Sequence, residues 1–249
     1  MSKRSGHLDD LLAAWPYQFG EVAARKVAGK DGREVLQLRI DLGVLQMEAV
    51  GRPDGHTPGG HDTVYDQLLA QSFEEGEDFE LSDDRRSEID REFVQFYHRR
   101  IAWLALREFR RAIEDANHTL KLMDFSSAHA DDEDWVDMHE QYRPFVLFHR
   151  TQAEALAKVD AYDPEAAISA LDEGLEEMHA AFARQGCEDE FEEDDLVLKI
   201  RAMRSTLLAQ YSLEPPLTQQ LAEAVAREQY ELAAELRDRI ARRTSQKAR

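Results

Sequence analysis

The sequence predicts a mainly α protein with a small N-terminal antiparallel β-meander and a C-terminal two-helix hairpin. Three observations carry that prediction. Apolar residues recur at helical spacing through most of Arg85 to Ala183 and again over residues 196–211. One stretch near the N-terminus alternates with period two, Leu36, Leu38 and Ile40 against Gln37, Arg39 and Asp41, as a half-buried strand does. The last thirty-odd residues, from Leu217, carry two short apolar stripes with a break between them. Three regions follow: residues 1–73 with the meander at about 22–50, a helical region over 82–211, and a hairpin over 214–249.

Taken in order, Leu8, Leu11, Leu12 and Trp15 make a short helical patch that Pro16 stops. The meander is expected at about 22–28, 33–41 and 43–50, with Asp31-Gly32 and Gly43 at its turns. Three strands with one apolar face need a helical layer to cover them. The loop from Gly51 to Asp62 holds four glycines and two prolines and carries His56 and His61 beside Asp54 and Asp62, a candidate metal pairing. It lacks the Lys-Ser/Thr of a phosphate-binding loop. A helix capped by Asp62 is expected over residues 63–73, then an acidic solvated linker over 74–84, with Ser82 or Asp83 capping the next helix.

Ile89, Phe93, Phe96, Tyr97, Ile101 and Leu104 form a long stripe, continued after a break by Phe109, Ala112, Ile113, Ala116, Leu120 and Met123. A similar run starts at Phe145, and Asp163-Pro164 opens the helix that carries Ala167-Ile168, Leu171 and Leu175. The residues from Ala102 to Ile113 resemble a tetratricopeptide helix pair, with an aromatic three places before an Ala-Ile. The two Ala-Ile pairs lie 55 residues apart, so a repeat reading requires an insertion, which Ala130 to Glu140 supplies. The plain alternative is two unrelated amphipathic hairpins. Seven acids fill the eight positions from Glu188 to Asp195, interrupted by Phe191, as a surface linker or a negative cap on the following helix.

Composition bounds the function. The chain has 249 residues, 43% hydrophobic and 33% charged, with 51 acids against 31 bases for a net charge of −20. A duplex would be repelled, so no strong direct nucleic-acid binding is expected. Only the end of the chain departs from this, with seven Lys/Arg and five Asp/Glu from Leu217 to Arg249. The single cysteine, Cys187, excludes an intrachain disulfide. No apolar run approaches the roughly 18 residues of a membrane span, and no signal-peptide core is seen, so a cytoplasmic location is expected.

In the terminal stretch the apolar positions are Leu217, Leu221, Ala224 and Val225, then Tyr230, Ala233, Ala234, Leu236 and Ile240. The pattern Tyr230-Glu231-x-Ala233-Ala234-x-Leu236-Arg237-Asp238-x-Ile240 resembles the UVR motif, the helical hairpin at the C-terminus of the excision-repair protein UvrB and inside its partner UvrC. It covers about an eighth of the chain. In that family, which extends to McsA-type kinase activators and some Clp chaperones, the motif is a protein-docking element without chemistry. The resemblance therefore implies a partner-binding site at Leu221, Val225, Tyr230, Ala233, Ala234, Leu236 and Ile240, with Arg237 and Asp238 setting orientation.

Enzyme signatures are missing: no HExxH, GxSxG, Walker loop or CxxC occurs. A second group with metal-ligand types joins His129 and His139 to Asp131, Asp132, Glu133, Asp134 and Asp137. Arg99 and Arg100, between Tyr97 and Trp103, either meet phosphate by charge and stacking or pair with nearby acids on the helix face. The leading expectation is a non-enzymatic adaptor without cofactor, docking through the hairpin on a UvrB/UvrC-like or kinase/Clp-like protein or on a second copy. The alternatives are an accessory factor of nucleotide excision repair, a regulator of a protein kinase or Clp-type protease, and a metal-dependent hydrolase. McsA-type activators carry cysteine-rich zinc modules, which a chain with one cysteine lacks.

Overall fold

A computed structural model describes residues 7–211 and 217–247; in the last segment it describes side chains at 220–222 and 224–239. The elements run α1 (Leu8–Ala14), β1 (Ala23–Ala28), β2 (Glu34–Ile40), β3 (Gly43–Glu48), α2 (Val64–Glu75), α3 (Asp83–Ala105), α4 (Phe109–His129), α5 (Glu133–Glu140), α6 (Arg143–Asp160), α7 (Pro164–Arg184), α8 (Asp195–Gln210), α9 (Leu217–Ala226) and α10 (Tyr230–Lys247). The chain divides into two compact units, Met1–Ile200 and Arg201–Arg249.

In the first unit the strands pair antiparallel in the order β1-β2-β3, with Ala23 opposite Arg39 and Ile40 opposite Gly43. Leu36 and Leu38 of β2 and Met47 of β3 share one core with Ala102 and Trp103 of α3, Phe109 and Ala112 of α4, and Ala153 of α6. This is the helical cover that three strands require. Residues 15–17 lie against the sheet through its arginines. Arg39 Nε donates to the Trp15 carbonyl at 2.8 Å, and the Arg25 guanidinium sits 4.2 Å from the Trp15 ring centroid. A second core joins Val64 and Leu68 of α2 to Leu81, Ile89, Leu122 and Phe125. The cap of α2 is Thr63, not the expected Asp62: its hydroxyl accepts from the Asp66 N–H at 3.1 Å. The acidic stretch 74–84 contains the end of α2, a 3₁₀ turn and the buried Leu81, so it is only partly a solvated linker.

The helices pack as consecutive pairs, α3 on α4, α4 on α6 and α6 on α7, with α5 occupying the segment between the two hairpins. Three hairpins, α3/α4, α6/α7 and α9/α10, close on one turn. In each, a non-glycine residue adopts positive φ: Arg107 at 59°, Tyr162 at 60° and Glu228 at 55°. Its N–H donates three residues back, to Leu104 at 3.1 Å, Val159 at 3.0 Å and Val225 at 3.0 Å. The next N–H donates five back, to Trp103 at 2.9 Å, Lys158 at 2.9 Å and Ala224 at 2.8 Å. This pair of bonds satisfies carbonyls that the helix end would otherwise leave open. Five residues after each turn residue stands a buried alanine, Ala112, Ala167 and Ala233, small enough for the returning helix to approach closely. Helices α6 and α7 pack tightly at Gly174, where an added Cβ would lie 2.1 Å from the Thr151 hydroxyl oxygen.

The acidic run 188–195 is anchored: Phe191 is buried edge-on against Phe182 at 5.5 Å between ring centroids. Asp194 then caps α8, accepting from the N–H groups of Leu196 at 2.8 Å and Val197 at 3.1 Å. That is the negative cap that the charge run suggested.

Candidate functional site

The candidate site is the hairpin of α9 and α10, taken by itself. Leu221, Ala224, Ala233 and Leu236 meet between the two helices and form its small core, with Leu236 only 1% exposed. Spacing explains the choice: Leu221 and Ala224 are three apart on α9, and Ala233 and Leu236 are three apart on α10, so each pair lies on one helical face. The Gln229 carbonyl accepts the Ala233 N–H at 2.9 Å and starts the second helix directly after the turn.

The remaining site residues fall elsewhere. Val225 is 52% exposed and Tyr230 68% exposed, and Ala234, Arg237 and Asp238 are exposed as well. The Ile240 side chain lies outside the described residues. Arg237 and Asp238 are neighbours on one turn, with Nη2 and Oδ1 3.4 Å apart in solvent, a contact worth little to stability. Leu232, 45% exposed, is a large apolar residue absent from the motif reading; standing four residues before the core residue Leu236, it carries no spacing signal that would assign it to the surface. Tyr230, Ala234 and Arg237 follow i, i+4, i+7 along α10 and share a second face of that helix.

Among the described side chains the hairpin's own core is thin. Burying a leucine fully contributes about 1.5–3 kcal/mol and two alanines add less, while ordering each backbone residue costs about 1–2 kcal/mol. Covering Val225, Tyr230 and Leu232 would add apolar burial that the hairpin does not supply for itself.

The other sequence candidates resolve into structural roles. Among the described residues no three His, Cys, Asp or Glu side chains are placed to hold one metal ion. His139 lies between the Trp135 carbonyl and Asp90, at 2.9 Å from each, and stacks on Phe93. His129 Nδ1 bonds the Phe125 carbonyl at 2.9 Å. In the glycine-rich loop, Asp54 Oδ1 accepts the His56 backbone N–H at 2.9 Å, as in a turn, and His61 joins no metal-holding group either. The His129 and His139 imidazoles are thus taken up by contacts within and between helices.

Arg99 and Arg100 are buried, and Arg99 makes the expected pairing with a nearby acid in the interior and not on an exposed helix face. Arg99 binds Asp115 of α4 at 2.7 Å and the carbonyls of Gly51 and Glu48 at 2.6 and 3.2 Å. Arg100 donates to His149 Nδ1 at 3.2 Å and to the Thr119 hydroxyl at 3.0 Å. Burial lowers the Arg100 guanidinium to about 10, and burial together with that guanidinium lowers His149 to about 3. Buried polar groups are tolerated when hydrogen-bonded in this way.

Comparison with known proteins agrees with the hairpin. Residues 215–242 match the family model described as the UvrB/uvrC motif, UVR. That match spans α9, the turn at Glu228 and most of α10. No curated protein and no solved structure shows a significant match to the chain. Among the described residues no helix is long and apolar enough to cross a membrane.

Proposed function

We propose, from the UVR match over residues 215–242, that the chain is a non-enzymatic adaptor whose terminal hairpin docks on another protein. The observation that carries this reading is the division of labour within the hairpin. Ala224, Ala233 and Leu236 close its own core, while Val225, Tyr230 and Leu232 remain outside it. Aromatic residues at such positions are common anchors of interfaces. Arg237 and Asp238 then orient the partner through charge-assisted hydrogen bonds, and Leu221, Ala233 and Leu236 act by holding the helices in place. A second reading, an accessory role in nucleotide excision repair, draws on the description of the matched family.

The test separates surface from core. Replacing Val225 and Tyr230 together by glutamate removes apolar contact at two exposed positions, so helix content by circular dichroism should stay within error of the wild type. Capture of the partner from native lysate should fall at least tenfold. Leu236→Asp, which places a charge in the hairpin's core, is unsuitable because it removes the fold and the surface at once. Undiminished capture by the double variant would contradict docking through this face. Excision-repair proteins in the wild-type fraction would support the repair reading; recovery of further copies of the chain alone would replace it with self-association.

A further inference from the structure

The glycine-rich loop is a built feature of the first unit, and a cavity lies beside it. Arg52, buried, fastens the loop to α3 through Glu88 at 2.8 Å and Gln95 at 3.3 Å. The Arg52 N–H donates to the Asp62 carbonyl at 3.0 Å and closes the loop at its far end. Where this loop, the start of α2 and the faces of α3 and α4 meet, the surface opens into a cavity of about 370 Å³. That is within the range of about 300–1,000 Å³ for small-ligand sites. Asp62, Asp66, Glu114 and His118 line it together with Phe96 and Trp103, and His118 is stacked on Phe96 at 3.8 Å between ring centroids.

The chemistry of the lining selects the ligand. Its basic groups are already engaged: Arg99 by Asp115 and two carbonyls, and Arg111 by Glu34 at 2.6 Å and by the Trp103 ring at 4.6 Å. The first N–H groups of α2 are engaged too. Val64 and Tyr65 donate to Glu92 at 2.8 and 3.2 Å, and Asp66 donates to Thr63. An anion would compete with all of these bonds. The acceptors are in the opposite condition. Asp62 and Glu114 have no cationic partner among the described residues, and the Asp66 carboxylate accepts only the Thr63 hydroxyl, at 2.6 Å. His118 Nε2 lies 2.9 Å from the Glu92 carboxylate. The cavity therefore offers three exposed carboxylates without a cationic partner among the described residues, while its arginines and the first N–H groups of α2 are spent.

We propose that this cavity receives an organic cation bearing N–H donors, a guanidinium or a primary ammonium on an alkyl stem. Asp62, Asp66 and Glu114 supply the counter-charge. Two sources present that chemistry, an arginine or lysine side chain of a protein and a free polyamine. The inference is independent of the docking hairpin, since every residue in it lies in the first unit.

The test is an amide-resolved NMR titration of the full chain with N-acetyl-arginine amide, with spermidine, and with uncharged N-acetyl-citrulline amide. Saturable shifts should cluster at Gly51, Thr63, Glu114 and His118 for a cation, with no response to citrulline. Asp62→Asn with Glu114→Gln, at two exposed positions, should weaken binding at least tenfold and leave the rest of the spectrum in place. Tighter binding of the arginine compound would identify a protein side chain as the source, and tighter binding of spermidine a free polyamine. Shifts spread over the acidic surface without saturation, an equal response to citrulline, or unchanged affinity in the double variant would overturn the site.

Discussion

Arg100 and His149 form the interior contact with the sharpest consequence for stability. The imidazole accepts the Arg100 Nε–H at 3.2 Å, a bond that requires an unprotonated Nδ1. Burial and the guanidinium lower its pKa to about 3, whereas an unfolded histidine titrates near about 6.5. Between those values the unfolded chain binds a proton that the folded chain refuses. The stability associated with the neutral ring is therefore complete above about pH 6.5 and declines as the pH falls below it, by about 2 kcal/mol at about pH 5. His149→Asn keeps an acceptor for Arg100 and removes the titration. Urea unfolding at pH 7 and pH 5 should show that the variant loses about 2 kcal/mol less than the wild type over this interval. An equal loss in both proteins would refute the assignment.

At the scale of the element, the recurring turn makes the helical hairpins alike and also stores strain. A left-handed conformation costs a non-glycine residue about 1–2 kcal/mol, and Tyr162 adopts it with its ring almost fully exposed, so no packing compensates. Tyr162→Gly should stabilise the protein by about 1 kcal/mol and raise the melting temperature by about 2–4 °C. A lower melting temperature would contradict this account of the turn. The helices themselves were legible because their apolar residues keep the helical period. The meander was legible because Leu36, Leu38 and Ile40 alternate with polar residues and short turns flank them. The interior arginines were not. Arg99 and Arg100 continue a stripe otherwise made of apolar residues, and a polar residue there reads as exposed until its partner is known. For Arg99 the partner is Asp115, 16 residues away on the next helix. In the terminal hairpin the motif named Leu236 and Tyr230 together, yet one is core and the other surface. Apolar character alone does not assign the side, because two short helices present a wide apolar arc of which only part faces inward.

For the whole molecule, the net charge of −20 sits on a chain whose last 33 residues carry two more basic than acidic groups. Within the hairpin a thin core, exposed Val225, Tyr230 and Leu232, and solvent-facing Arg237 and Asp238 together make a surface suited to a protein partner. Two exposed tyrosines offer an internal comparison, Tyr230 on α10 and Tyr162 in the α6/α7 turn. The most direct measurement places a photo-crosslinking phenylalanine analogue at each position in turn, irradiates living cells, and identifies the adducts by mass spectrometry. Docking through the hairpin predicts a discrete crosslinked partner from position 230 and none from position 162. No adduct at 230, or the same adducts from both positions, would contradict it.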